Sequence, residues 1–403
     1  MVAAIKKPDG VLFWLSVVAT SIGLLAIYDA GYARSAVDGA AIPREFKSQL
    51  VSALVAVAFG SLVWFVRRQT WKWLPWAFYG ATLLGLLAVK LFGTEINGAT
   101  RWIDFKVFTV QPAEFAKVAV ILLLAVIFAD RREANPLPKG KTHWAERLDY
   151  VWIPRLARGW PLIFVLVLAG LVLVEPDLAT ALMVVVIAGA ILLMGRVSRG
   201  SLMTLVAVSA IAVTFMVIKE PYRMTRMLNH GDRWSSSNID GIGYQTTQSE
   251  ASMSYGGFFG VGLGKGRAKH TLPAPTTDFV MATVSEETGL VGTLCVLSVL
   301  GGIVWRLIHL ARAAKDQFAR LVNYGTATWI GVQSCTNIVM ANGFVPPIGV
   351  PMPFISAGGS SLLALWIAIG ASQSLLRKST EEVTEHEARR HRRWHRRTRI
   401  SRA

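Results

Sequence analysis

Asp278 is a lone carboxylate in Thr276-Thr277-Asp278-Phe279, eight residues ahead of the paired acids Glu286-Glu287. It stands between a basic segment and an apolar stretch, where burial and nearby cations shift a carboxyl in opposite directions. A carboxylate beside a substrate hydroxyl can serve as general base. The same spacing suits a helix N-cap by Asp278 or Thr277, and the residues alone leave both roles open. Around it lie Lys219, Arg223, Arg226, Arg233, Lys265, Arg267 and Lys269. These cations suit a phosphate-bearing ligand, and they equally suit a solvated loop.

Ionisable residues also occur inside apolar runs. Glu114 and Lys117, in Gln111-Pro112-Ala113-Glu114-Phe115-Ala116-Lys117, share one helix face and can neutralise each other. Glu175-Pro176-Asp177 interrupts two further runs. Charge at membrane depth is costly and marks functional candidates. Asn342–Ser361 is rich in Gly and Pro, so its backbone must pack in protein or line a wet cavity. Gly256 to Gly266 resembles a nucleotide loop, but Phe259 and Gly266 occupy the positions where that motif needs Gly and Ser or Thr. Its glycines read instead as sites of close backbone approach.

The elements that must position these residues are membrane spans. Of 403 residues, 53% are hydrophobic and 17% charged, with a net charge of +17. That excludes an ordinary soluble domain, a disordered chain and a disulfide framework, and the apolar runs exclude a nucleic-acid binder. Cys295 and Cys335 read as packed membrane residues with free thiols. Runs near spanning length occur at 10–28, 48–66, 73–89, 159–174, 178–195, 200–218 and 288–305. Another reaches that length from Gln111 to Ala129, and charge-free Leu321–Leu376 reads as two helices joined by a hairpin. The first run, although preceded by Lys6-Lys7, is long enough to be an uncleaved helix.

The expected fold is therefore all-α, a polytopic membrane protein with ten transmembrane helices. A large extracytoplasmic loop separates helices 7 and 8. With both termini cytoplasmic, 28 Lys and Arg fall on inner segments and 12 on outer ones, including Lys106, which follows the positive-inside rule. Residues 1–377 form the membrane domain. Residues 378–403 form a basic tail suited to the anionic inner leaflet, with His391 and His395 read as solvated rather than metal-bound. The chemistry-bearing groups all converge on the outer side.

In that order along the chain, these motifs resemble the SEDS family (shape, elongation, division and sporulation). The resemblance rests on Arg101-Trp102-Ile103 with Gln111 to Lys117, on Glu175-Pro176-Asp177-Leu178, and on Gly243-Tyr244-Gln245 with Gln248-Ser249. It continues through Gly256 to Gly264, Thr277-Asp278-Phe279, Glu286-Glu287 with Gly289-Leu290-Val291-Gly292, and Pro351 to Ser361. It covers about residues 11 to 377. The Gly-Val-Gly-Leu-Gly run with Lys265 and Lys269 is more similar to the FtsW and SpoVE branches than to RodA, which points to division. Departures are Ala113 for the usual Ser, Ala179 for the usual Gly, and Pro273 to Thr277, which lacks the family's Glu and His; no role for those two is carried over.

The resemblance implies ten spans in the cytoplasmic membrane and a peptidoglycan glycosyltransferase acting on lipid II and nascent glycan. It also implies a class B penicillin-binding protein transpeptidase as partner, with other divisome or elongasome proteins. The family's essential aspartate falls on Asp278, its buried lysine on Lys117 and that lysine's glutamate neighbour on Glu114. Arg101, Arg223, Arg226, Lys265, Lys269, Ser356 and Ser360 complete the expected substrate contacts. A divalent cation, Mg or Mn, on the pyrophosphate is compatible with this chemistry, its ligands not legible. A lipid II transporter and a non-catalytic scaffold are the alternative readings.

Overall fold

The computed structural model describes residues 8–37, 39–96, 99–105, 109–129, 160–195 and 199–376. The chain is mostly helical. In order, the membrane-type helices are α1 (Gly10–Val37), α2 (Arg44–Trp64), α3 (Leu74–Phe92), α4 (Pro112–Ala129), α5 (Leu162–Val174), α6 (Leu178–Met194) and α7 (Arg199–Lys219). Three short helices follow, α8 (Pro221–Leu228), α9 (Tyr244–Gly256) and α10 (Ala268–Thr271), within what hydropathy reads as one long loop. Then come α11 (Val280–Ala313), α12 (Gln317–Ala341) and α13 (Gly359–Leu376). Among the described residues, seven of these are long and apolar enough to cross a membrane, and α5 and α6 are shorter apolar helices.

The all-α expectation needs one correction. Between α3 and α4 lies a small antiparallel sheet of β1 (Thr94–Ile96), β2 (Ala99–Asp104) and β3 (Thr109–Val110). Its β-branched and aromatic residues favour strands, but segments this short carry no hydropathy signal. A second correction concerns the cysteines. Both thiols are free, yet Cys295 and Cys335 lie on exposed helix faces rather than packed inside.

α4 is the central helix, buried on nearly every face against α3, α6 and α12. A helix apolar all round belongs in such a place. α2 and α13 cross closely at Gly60 and Gly370, where the missing side chains let backbones meet. α11 is two helices in one. Gly289, at φ 67° and ψ −166°, breaks it, so Val280–Thr288 is enclosed by protein while the longer part beyond shows Leu290, Val291 and Leu294 to the surroundings. The basic tail, Lys106 and the 130–159 segment lie outside the described residues.

Candidate active site

Asp278 lies in the turn just before α11. The capping alternative is not what forms: Phe279 is the N-cap of α11, and no side chain caps that end. No hydrogen bond from a described residue reaches the Asp278 carboxylate, although its backbone carbonyl is held. The side chain is half-buried, and its neighbours act on it in both directions. Burial, reinforced by the Asp177 carboxylate, pushes the Asp278 carboxyl up to about 6, while Arg101 and Arg226 pull it down. At pH 7 such a group is mostly ionised and still basic enough to accept a proton.

Arg101 comes from β2. Its Nε donates to the Glu175 carbonyl at 2.9 Å and its Nη2 to the Pro176 carbonyl at 2.7 Å, so the sheet is pinned to the α5–α6 turn. Arg226, on α8, donates from Nη2 to Gln245 Oε1 at 2.7 Å. Asp177 is the N-cap of α6: its carboxylate accepts from the Thr180 N–H at 3.0 Å, the Thr180 hydroxyl at 2.9 Å and Gln111 Nε2 at 3.3 Å. Ser360 Oγ accepts from the Gln111 N–H at 2.9 Å, tying the start of α4 to the start of α13.

The opposite wall is the non-helical hairpin at 342–358. Ser356 Oγ donates to the Thr277 carbonyl at 2.6 Å and accepts from the Met352 N–H at 2.7 Å. Asn337 Nδ2 donates to the carbonyls of Asp278 at 2.9 Å and Val350 at 2.7 Å. Gly349 borders the carboxylate directly: a methyl built on it would sit 3.6 Å from Asp278 Oδ2, and its φ of +72° suits glycine. Serine and asparagine thus satisfy backbone groups of the hairpin and of the Asp278 turn that would otherwise be buried unpaired.

The expected cations divide into two groups. Arg101 and Arg226 act on Asp278 through their charge, each guanidinium being also bonded to other groups. Lys265 is exposed on the Gly-rich loop. Lys269 is buried, with Nζ on Glu287 Oε1 at 2.7 Å and Asp29 Oδ1 at 3.0 Å, so its charge is already matched. The Arg223 side chain lies outside the described residues. Lys117 is 2% exposed, and its Nζ meets both Glu114 carboxylate oxygens at 2.8 Å, Gln333 Oε1 at 3.3 Å and the Trp329 ring at 5.0 Å.

Glu286 and Glu287 hold the Gly-rich loop rather than a ligand. Glu287 accepts from the N–H groups of Gly264 and Gly266, at 2.8 and 2.9 Å, and Glu286 from Ala268 N–H at 2.7 Å. Among the described residues, no cluster of three His, Cys, Asp or Glu gathers as a metal cage. A cation carried by a substrate's phosphates needs only one or two protein carboxylates, so this bears on an all-protein cage alone. Gln333 and Asn337 were not singled out by sequence reasoning, since uncharged residues in a long apolar run carry no spacing signal.

A family model described as cell cycle protein, FtsW/RodA/SpoVE, matches residues 10–381. The chain is similar to the probable peptidoglycan glycosyltransferase FtsW of Thiomicrospira cyclica, 33% identical over 373 residues, covering 91% of each chain. The protein of the same name from Trichlorobacter lovleyi is 30% identical, over 92% of this chain and 95% of its own. Among solved structures, a chain from a study of polymerization and crosslinking by a peptidoglycan synthase complex superposes with a TM-score of 0.73 at 26% identity, covering 93% of this chain and 99% of that one. The crystal structure of Thermus thermophilus rod shape determining protein RodA gives 0.65 at 26% identity, over 93% and 98%.

Proposed function

Because the chain belongs to the FtsW/RodA/SpoVE family of cell cycle proteins, we propose that the Asp278 site polymerises lipid II into glycan strands at the outer face of the cytoplasmic membrane. The chain is a multi-pass membrane peptidoglycan glycosyltransferase. The observation that carries the site assignment is a half-buried carboxylate free of hydrogen bonds from described residues, walled by the hairpin at Gly349 and within the electrostatic reach of Arg101 and Arg226.

In this reading, Asp278 takes the proton from the acceptor sugar's 4-hydroxyl as that oxygen attacks the donor's anomeric carbon. The new C–O bond forms as the bond to the lipid pyrophosphate breaks, with inversion. Charge developing on the leaving pyrophosphate is met by Arg101 and Arg226, with Lys265, exposed on the Gly-rich loop, as a further cation. Guanidinium forks suit phosphate oxygens, and fixed charge placed where charge develops outweighs the proton transfer in effect. Glu114, Lys117, Lys269, Ser356 and Ser360 act in this scheme by holding the site's walls. An apolar cleft of about 180 Å³ between α5, α6 and α7 begins at Leu173 and Leu178, beside the turn that Arg101 grips, and suits a polyprenyl tail.

The finer topology is part of the proposal. Adding α5, α6 and α12 to the seven long apolar helices makes ten crossings, with both termini cytoplasmic. The transpeptidase partner is a class B penicillin-binding protein, and division is the favoured process. The test is polymerisation of lipid II by the purified protein with that partner. Asp278→Asn is expected to cut the rate by on the order of 10²–10⁴-fold while partner binding and thermal midpoint stay unchanged. Undiminished polymer from Asp278→Asn would remove the base; lipid II crossing the bilayer without polymer would favour the transport reading.

A further inference from the structure

We propose that Gln333 and Asn337, one turn apart on α12, are positioning residues that clamp the 342–358 hairpin against the Asp278 turn, and that the buried Lys117 acts on the reaction through Gln333. This rests on the general-base reading of Asp278 and deepens it.

The chemistry of the partners fixes each amide in one orientation. Gln333 Oε1 accepts from the Lys117 ammonium at 3.3 Å and the Trp329 indole N–H at 2.6 Å, and both of these groups only donate. Gln333 Nε2 donates to the Pro351 carbonyl at 2.8 Å, which only accepts. A flipped amide would face like against like at all three contacts. Asn337 uses both of its N–H groups, one on Val350 in the hairpin and one on Asp278 itself. Its Oδ1 is buried without a hydrogen bond from a described residue, a cost that an apolar residue there would not carry. What the asparagine supplies in return is two donors joining two chain segments.

Those segments meet at the base. Side chains from α12 hold the consecutive carbonyls of Val350 and Pro351, and Ser356 and Asn337 hold the consecutive carbonyls of Thr277 and Asp278. Gly349, next in the hairpin, forms the wall beside Asp278 Oδ2. Slippage of the hairpin therefore moves the wall of the carboxylate. Lys117 meets Glu114 and Gln333 and is 2% exposed, so its charge reaches the reaction through these contacts rather than by touching a ligand.

The experiment measures lipid II polymerisation by the full chain with its transpeptidase partner. The variants are Gln333→Met, which keeps length and removes the polar atoms, Gln333→Glu, which keeps Lys117's acceptor and removes the Pro351 donor, and Asn337→Asp. Each is expected to lower kcat about 10–100-fold, as a misplaced base does, with KM for lipid II within about twofold. The acidic limb of the rate profile should move to lower pH, because a loosened turn lets water reach Asp278. A Lys117→Met and Gln333→Met double variant should be no worse than its more damaged single variant, the signature of two residues acting as one unit. Wild-type kcat and an unmoved limb in Gln333→Glu, with Asp278→Asn inactive, would overturn the clamp while leaving the base in place. Full additivity of the double variant would overturn the route from Lys117. Activity in Asp278→Asn would remove the base itself and the clamp with it. If Asn337→Asp does not fold, the two Gln333 variants decide the question.

Discussion

Glu175 is the least comfortable residue near the site. It is 4% exposed, and neither carboxylate oxygen has a hydrogen-bond partner among the described residues. Burial, helped by the charge of Asp177 and opposed by Arg101, pushes its carboxyl up to about 8. At pH 7 it is a neutral acid in the folded chain, whereas in an unfolded chain it is ionised. The folded state therefore binds the extra proton, and stability falls as pH rises from about 4.5 to about 8, by about 1.4 kcal/mol per unit at most. Above that range the loss levels off. Glu175→Gln is expected to flatten this dependence and to raise the thermal midpoint at pH 8 more than at pH 5. A variant that melts lower by the same amount at both values would mean an ionised, paired carboxylate instead. Asp278 shares Asp177 and Arg101 with Glu175 but also feels Arg226, and it settles at about 6, so neighbouring charges leave one acid protonated and the other ready to accept. The spacing around Asp278 left a base and a helix cap equally open, because side-chain direction is not written in spacing. Gln333 and Asn337 were illegible for a related reason, since their meaning lies in carbonyls 13 to 59 residues away.

At the scale of elements, hydropathy located most helices to within a few residues, as with 73–89 against α3 and 178–195 against α6. It failed where a protein-enclosed helix carries charge near its end. The first part of α11, Val280–Thr288, carries Glu286 and Glu287 and gives no apolar run, since only tertiary contacts satisfy those acids. The break at Gly289 joins that buried part to the spanning part. There the Gly-rich loop bonds across: Leu290 N–H donates to the Gly257 carbonyl at 2.9 Å and Val291 N–H to the Phe258 carbonyl at 3.2 Å. A Cβ at 289 would run into the backbone of Gly260 and Phe258 at a φ that L-residues avoid. Gly289→Ala is expected to cost at least about 2 kcal/mol, adding left-handed strain to overpacking against rigid backbone. The loop should detach first, read as faster trypsin cleavage at Lys265 and Arg267 and a lower thermal midpoint. A variant with unchanged midpoint and cleavage would show that the loop docks without this close approach.

For the whole molecule, the question is which way the bundle faces the membrane. The arrangement itself is asymmetric. Asp278, Arg101, Arg226 and the Gly-rich loop gather at one end, built from β2, α8 and the turns before α6, α11 and α13. At the other end Asp9 takes the Arg306 guanidinium on both oxygens, and Gln373 bonds the Asp9 backbone, which fastens the start of α1 to α11 and α13. An odd number of crossings between the two ends would separate the termini, so the count and the orientation stand or fall together. Lysine and arginine are concentrated on the segments that ten crossings assign to the inside, and translocating them is the costly alternative. Cysteine labelling tests this in a background carrying Cys295→Ala and Cys335→Ala. Asp240→Cys, in the loop between α8 and α9, should react with a membrane-impermeant maleimide on intact spheroplasts. Lys139→Cys and Ser379→Cys should react only after permeabilisation. Labelling of Lys139→Cys from outside would invert the bundle and put the Asp278 site on the side where no glycan is assembled, and reaction at only one of the two inner positions would break the count of ten.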